Sequence, residues 1–579
     1  MMHEFYDANL MSVERLFEGK VFRVPDYQRN YSWEARQWED FWNDIKDGLE
    51  THTEHYWGTI ILRKIKGEFF YFKEEEKRYE VYEVVDGQQR LTTLYLFFLA
   101  LSRVGRKEIF FKRYVKSGDI YRLELGGLNK EFIKSLVDGN PMEPDIKSNR
   151  LLKECLEYFE DQIRAYGKID ELSGYVPNLT FSLEFVLLDE ILAVKAFETL
   201  NDRGKPLNLL DKTKSFLMFF SVRYMQDTRH EINRIFGNVF TAYDLIKDTG
   251  EKEGIDYIKS NRFTEDELLR FFYHYFAHYA IQKYNLPDPY YYDTSAADVF
   301  EIFIKGACNH LKQDPGKLKN FVHEFLTELD RFVHAFQKLM EEVKSNSTIR
   351  RLFCFSGLDA RVYPLIIALK ATGDEALLDD EMLHLIDVLD MRIYKIKGTD
   401  PRADLYRNVI ATIKMNPDRD KIKEGIREFI NRFMSDESFS YHLKGHLYQN
   451  KATKYILWEY EKYKNPEFND LDYELYTKCQ KEHILPQAPG MKFPAYGFKD
   501  EEDYFSTIHT LGNLCLLEED LNVKCQNKGL QEKARYYQTS RIKTTRTLGF
   551  EIENRGFTRE NIEKRTDEIA RFCLMHWKL

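Results

Sequence analysis

Cysteine is scarce and dispersed in this 579-residue chain. The seven stand at 155, 308, 354, 479, 515, 525 and 573, an odd number with no C-x-x-C pair. That argues against a disulfide framework and a Cys-rich zinc site, and for a reducing compartment. Long apolar runs are missing too. No stretch reaches the ~18 uncharged apolar residues that a membrane helix needs. The N-terminus lacks a charged segment followed by an apolar one, so no secretory signal is read. The expectation is a cytoplasmic protein that makes no use of a membrane. A surplus of positive charge is also absent. The net charge is −10 and the pI about 5.9, which excludes a wholly basic nucleic-acid coat but leaves room for a local basic groove.

What is present suits an ordinary folded protein. Hydrophobic residues make up 43% and charged residues 31%, so core burial is not limiting. The length predicts roughly two to four domains. Aromatics are abundant, with 43 Phe and 37 Tyr. Most belong in cores, and some could stack on bases.

The N-terminal part is organised around Val84-Val85-Asp86-Gly87-Gln88-Gln89-Arg90-Leu91. Tyr79 to Val85 reads as a strand, Asp86-Gly87 as a break, and Leu91 to Ser102 as a buried helix. A turn with an acid, a glycine, two amides and an arginine thus precedes a helix N-terminus. Backbone N–H groups and the helix dipole favour an anion there, such as a nucleotide phosphate. A polar turn with a solvated Arg is the alternative reading. Val21 to Val24 reads as an edge strand ended by Pro25, and Ser32 as the cap of a helix bearing Trp38, Phe41, Trp42 and Ile45. Trp57 to Lys64 and Phe69 to Phe72 suggest a hairpin turning at Lys66-Gly67-Glu68. Leu183 to Leu188 is a further strand, and Glu190 to Leu200 a helix closed by Asn201-Asp202-Arg203-Gly204. Three loops therefore each carry an arginine: Gln28-Arg29, Gln89-Arg90 and Asn201-Asp202-Arg203. Converging, they could hold a triphosphate, since Arg forks match phosphate oxygens. Apart, each is a surface Arg of little consequence.

Residues 225 to 440 show helical periods almost throughout and no fixed repeat. The C-terminal part carries chemistry. Lys481-Glu482-His483-Ile484-Leu485-Pro486-Gln487 reads as a strand stopped by proline. His509-Thr510-Leu511-Gly512-Asn513-Leu514 follows, then Asn522 and a helix through Lys528, Lys533 and Tyr536. A strand with an acid and a His, a second strand, and a helix with an Asn is the layout of a ββα-metal nuclease site. Phosphodiester cleavage needs a base and a cation. His483 is the candidate base, and Glu482 and Asn522 are oxygen ligands suited to Mg²⁺ or Mn²⁺. Alternation sends Glu482 and His483 to opposite faces, so the strand must twist or end there. Lys524 to Arg546 carries seven Lys or Arg against Glu532 alone. Lys524, Lys528, Lys533 and Arg535 are candidate DNA-backbone contacts, or else a solvated helix face.

With both ends read, two resemblances emerge. Residues 10 to about 225 resemble the DUF262 family through Pro25-Asp26-Tyr27-Gln28-Arg29-x-Tyr31-x-Trp33, Val85-Asp86-Gly87-Gln88-Gln89-Arg90-Leu91-Thr92 and Phe197-Glu198-x-x-Asn201-Asp202-Arg203-Gly204. That family is similar to ParB and sulfiredoxin-like domains. It implies nucleotide binding and hydrolysis, with Asp86, Gly87, Gln88, Gln89 and Arg90 at the nucleotide and Gln28, Arg29, Asn201 and Arg203 nearby. Residues from about 440 resemble the DUF1524 family of HNH nucleases through Glu482-His483-Ile484-x-Pro486-Gln487, Leu511-Gly512-Asn513-Leu514 and Asn522. This implies His483 as general base, Asn513 as the residue orienting it, and Glu482 and Asn522 as metal ligands.

The pairing resembles the GmrSD-type, modification-dependent (type IV) restriction enzymes of anti-phage defence. The implied architecture is α+β and multidomain. A ParB/sulfiredoxin-like mixed α/β sensor occupies 1–225, a helical region 226–440, and an HNH nuclease embedded in helices 441–579. The implied activity is nucleotide-regulated, Mg²⁺- or Mn²⁺-dependent cleavage of double-stranded, modified DNA, with an NTP as effector or substrate. A homo-oligomer is compatible. The alternatives are an NTP-dependent DNA-binding switch with an inactive nuclease, and an RNA-directed nuclease on the same fold.

Overall fold

The computed structural model describes residues 6–26, 28–72, 76–187, 208–225, 228–287, 294–487, 493–526 and 528–579. The N-terminal part is built on a mixed sheet. Its strands are β1 (Tyr6–Ser12), β2 (Lys20–Arg23), β3 (His55–Phe72), β4 (Lys77–Asp86), β5 (Leu123–Glu124) and β6 (Thr180–Leu187), in the spatial order β1-β6-β3-β4-β2-β5. The β1/β6 and β3/β4 pairs are antiparallel, and the β3/β6, β2/β4 and β2/β5 pairs parallel. Two expectations fail here. β2 is not an edge strand, because the short β5 pairs along its other side and Val24 N–H continues the ladder to the Glu124 carbonyl. Pro25 lies just beyond this ladder and does not interrupt it. The hairpin expected at Lys66-Gly67-Glu68 is instead a bulge within one long strand, and both halves of β3 pair with β4 across a register shift between Lys64 and Phe69.

Helix α1 (Ala35–Thr51) is capped by Glu34 and Gln37 rather than by Ser32. Helix α2 (Gln88–Gly105) is buried from Leu91 to Ser102 without interruption. A helix apolar all round must sit inside its domain. With α1 and α3 (Lys147–Tyr166) it forms the core against the sheet, through Trp38, Phe41, Trp42, Phe97, Phe98 and Phe159. The expected helix at Glu190 to Leu200 lies outside the described residues.

Helices α4 (Leu209–Tyr224), α5 (Arg229–Lys252), α6 (Glu265–Tyr284) and α7 (Pro315–Glu342) begin a second, larger core. Chain boundaries expected at 225 and 440 do not bound it. Leu210, Leu217 and Phe220 pack into it, and so do Trp458 on α8 (Ala452–Lys464) and Trp577 at the C-terminus. A third core, including Ile484, Leu485, Tyr504, Leu517 and Tyr537, lies beneath a two-stranded sheet of β7 (Cys479–His483) and β8 (Leu514–Glu518). Helices α9 (Glu519–Cys525), α10 (Leu530–Tyr537), α11 (Lys543–Arg555) and α12 (Arg559–His576) complete this end. All seven cysteines are buried and unpaired. Among the described residues no helix is long and apolar enough to cross a membrane.

Candidate functional site

β7 ends at His483, which lies opposite Leu514 on β8, while Glu482 lies opposite Cys515. The strand ends where expected, yet its pleat still separates the two side chains. His483 packs on Tyr448, with ring centroids 4.0 Å apart. The Gln487 amide nitrogen lies 3.0 Å from His483 Nδ1, and His509 Nδ1 lies 3.1 Å from His483 Nε2. With the Gln487 N–H₂ donating, Nδ1 is the acceptor, so the neutral ring carries its proton on Nε2 and donates it to His509. Burial, followed by His509, Lys533 and Lys481, depresses the His483 pKa to about 3. The His509 pKa is also lowered, by burial and by His446. His483 therefore enters any reaction as neutral imidazole, the form a general base requires.

Asn513 acts through the backbone. It is fully buried. Its Oδ1 accepts from Leu485 N–H at 2.8 Å, and its Nδ2 donates to the carbonyls of Leu485 at 3.1 Å and Ile508 at 2.9 Å. The segments leaving His483 and entering His509 are thereby locked to one amide. His509 is held again from outside, since its carbonyl accepts from Leu447 and Tyr448 N–H. Sequence reasoning gave no role to His509, Gln487 or Tyr448. Gln487 was within reach, four residues after His483 and in the same motif. Tyr448 is brought in by tertiary packing, and no local pattern marks it.

The face carrying Glu482 differs from expectation. Lys533 was assigned to a DNA surface, but its side chain is only 1% exposed and its Nζ lies 2.7 Å from Glu482 Oε1. It also donates to the His483 carbonyl at 2.7 Å, and Tyr537 OH donates to the same carboxylate oxygen at 3.3 Å. Asn522 does reach this side of β7, donating to Gln480 Oε1 at 2.7 Å, and its own Oδ1 is buried without a partner. The orphaned oxygen suits a cation. The carboxylate beside it does not, because an ammonium already neutralises it. Among the described residues no group of three His, Cys, Asp or Glu is arranged to hold a metal ion. The expected Glu482–Asn522 pair does not fit Mg²⁺ or Mn²⁺ as it stands. The basic stretch also shrinks: Lys528 pairs with Glu532, Arg541 with Asp472 and Lys543 with Glu467. Lys524, Arg535 and Arg546 remain exposed with no ion pair among the described residues.

At the other end, the structure brings the turn 86–90 and the loop 28–32 together. Gln28 Nε2 donates to the Val85 carbonyl at 3.0 Å, Gln88 Nε2 to the Arg29 carbonyl and Gln89 Nε2 to the Asn30 carbonyl, both at 3.1 Å. Ser32 N–H returns a bond to Gln89 Oε1 at 2.9 Å. The amides expected to touch a nucleotide thus staple one loop to another. Arg29 pairs with Asp211 on α4, and Arg90 sits 3.6 Å from Asp86. The space lined by Gln28, Arg29, Gln88 and Gln89 is about 10 Å³, room for one water and no nucleotide. Gly87 caps α2 at φ 91°, where a Cβ would meet the Thr59 carbonyl and Ile60 at 3.2 Å. Asn201 and Arg203 lie outside the described residues.

Comparison with known families defines the class of the chain. The family described as GmrSD restriction endonuclease, N-terminal domain, matches residues 13–218, and the C-terminal domain of the same endonucleases matches residues 433–572. The molecule is thus a restriction endonuclease of the phage-defence type, with DNA as its partner. More particularly, the chain belongs to the GmrSD family, whose two matches together span more than half of it. A comparison with curated proteins finds no match.

Proposed function

We propose that this endonuclease cleaves DNA by an HNH-type reaction with His483 as general base, and that its N-terminal domain is a nucleotide-responsive sensor of modified DNA. The observation that carries the first part is the His483 ring held between Gln487 and His509. A water replaces the exposed Gln487 amide at Nδ1. As the water oxygen bonds to phosphorus, its proton passes to Nδ1, and the P–O ester bond breaks. The departing oxygen takes its proton from solvent. His509 accepts from Nε2–H throughout and keeps the ring in register, a positioning role like that of Asn513. No step is assigned to a metal. Metal dependence is settled by the same assay with Mg²⁺, Mn²⁺ or EDTA.

The sensor reading rests on the loop 28–32. It is stapled to the turn before α2 and tied to the helical region twice, by Arg29 to Asp211 and by Asn30 Nδ2 to Asp244 at 2.7 Å. A ParB/sulfiredoxin-like domain that opens this loop to admit a nucleoside triphosphate at the N-terminus of α2 would alter both ties. Nucleotide binding then shifts a population of arrangements. The test is cleavage of unmodified plasmid, modified phage DNA and RNA, each with and without NTPs. DNA intact under every condition refutes the proposal. His483→Ala abolishes cutting and leaves the fold unchanged, whereas a variant that still cuts removes His483 from the mechanism. Arg90→Ala lowers NTP turnover, and unchanged turnover refutes the nucleotide role.

A further inference from the structure

A cleft of about 820 Å³ opens between the N-terminal sheet and the first turns of α5. It contains no residue of the His483 site or of the turn 86–90, and it shares Val24, Pro25, Leu125 and Gly126 with the small space beside the loop 28–32. The family matches end at 218 and resume at 433, so α5 lies in the region that neither covers. Cations line both walls: Arg23, Arg63 and Lys130 on the sheet side, and Arg229, His230 and Arg234 on α5. The acids in the lining are Asp26 and Glu124. In a chain of net charge −10 this is a local reversal of sign.

The cations are not equivalent. Arg23 is held by Glu68 at 2.7 Å and Glu124 at 2.9 Å, and Arg63 by Glu83 at 2.5 Å. Lys130 and Arg234 are exposed and have no ion pair among the described residues. Each wall therefore offers one unpaired charge. Asn233, on the α5 wall, has a buried side-chain oxygen with no partner among the described residues. The walls are fixed to each other nearby, because Arg150 on α3 pairs with Asp248 on α5 at 2.9 Å. The cleft is built in advance and needs no closure.

Its chemistry selects a phosphate-bearing ligand. A nucleoside pocket is lined mainly by apolar and aromatic groups around a few polar ones. The described lining here is mostly charged and polar, with Val24, Pro25 and Leu125 as its larger apolar members. Lys130 and Arg234, one from each wall of an open cleft, suit a phosphodiester backbone, which binds by charge and position rather than by base identity. We propose that this cleft seats the sugar–phosphate backbone of DNA, making α5 part of the substrate-binding surface. This rests on DNA being the substrate.

The test is fluorescence anisotropy of a duplex over a range of salt, in the uncleaving His483→Ala background. Lys130→Gln/Arg234→Gln is compared with its parent. Both positions are exposed, and an unchanged melting temperature verifies the fold. Two lost phosphate contacts flatten the slope of log K against log salt by about 2 and weaken unmodified and modified DNA alike. ATP and GTP binding by the double variant stays at the parent level. An unchanged slope and affinity overturns the proposal while leaving DNA as substrate intact. Lost nucleotide binding with DNA binding retained overturns it too, and makes the cleft a nucleotide site. A parent that binds no duplex at any salt refutes both this proposal and the DNA reading beneath it.

Discussion

Replacing Lys533 by methionine keeps the length of the side chain and deletes its ammonium. The pair it forms with Glu482 is 1% and 10% exposed at the two side chains. Removing one partner of such a pair costs about 3–5 kcal/mol, because the remaining charge is left buried. Here the Glu482 carboxylate keeps Tyr537 OH at 3.3 Å, and the His483 carbonyl loses its 2.7 Å donor. Burial already raises the Glu482 pKa against the lowering effect of Lys533, so the variant raises it further. A carboxyl whose folded pKa exceeds its unfolded value of about 4.3 gives up its proton more readily when unfolded. Stability of the variant therefore falls as pH rises above about 4.3, and the deficit against wild type is larger at neutral than at acid pH. Urea unfolding at both pH values, read on the C-terminal unit, measures this. Lys533→Met/Glu482→Leu recovers most of the loss, since a buried ion pair is replaceable by apolar groups of similar volume. A single variant within about 1 kcal/mol of wild type would refute the reasoning, since one broken buried pair should exceed that. A double variant no better than the single would do so as well.

Other outcomes follow from the same geometry. Asn513→Ala strands the Leu485 N–H and the Leu485 and Ile508 carbonyls, at about 1–3 kcal/mol for each unsatisfied group. It lowers the urea midpoint and disorders the His483 and His509 ring signals in NMR spectra. In the pH profile of kcat/KM, which reports the free enzyme, the acid limb falls below pH 6.5, because the lowered His483 pKa keeps the base neutral to lower pH. The observed value belongs to the His483–His509 pair, and a limb at or above 6.5 contradicts the assignment. Gly87→Ala forces a Cβ into the left-handed region against the Thr59 carbonyl and lowers stability by roughly 1–2 kcal/mol. An unchanged melting temperature would show that the turn before α2 tolerates a side chain.

Much of the local structure was legible in the sequence. The continuous apolar run of α2 could only be a buried helix, and Gly87 could only be a turn before it. The motifs around His483 and Asn513 placed the candidate base at the end of one strand and Asn513 in the turn just before the strand beside it. Patterns of this kind are visible because periodicity and turn chemistry act over a few residues. The sequence could not show how side chains are spent. Gln88 and Gln89 looked like ligand donors, and the fold uses them to close a loop 59 residues away. Lys533 looked like one of seven surface cations, and the fold buries it against Glu482.

The sequence by itself determined the order of elements, the buried helix, and the two motif-bearing ends. The tertiary structure alone decided which partners Glu482 and His483 meet on their opposite faces, that His509 closes on His483, and that α5 supplies one wall of a basic cleft. The physical reason is range. Backbone preference and hydrophobic period are set by neighbours in the chain. The partner of a charge or an amide is set by whatever residue the packing of distant segments brings within about 3 Å of it.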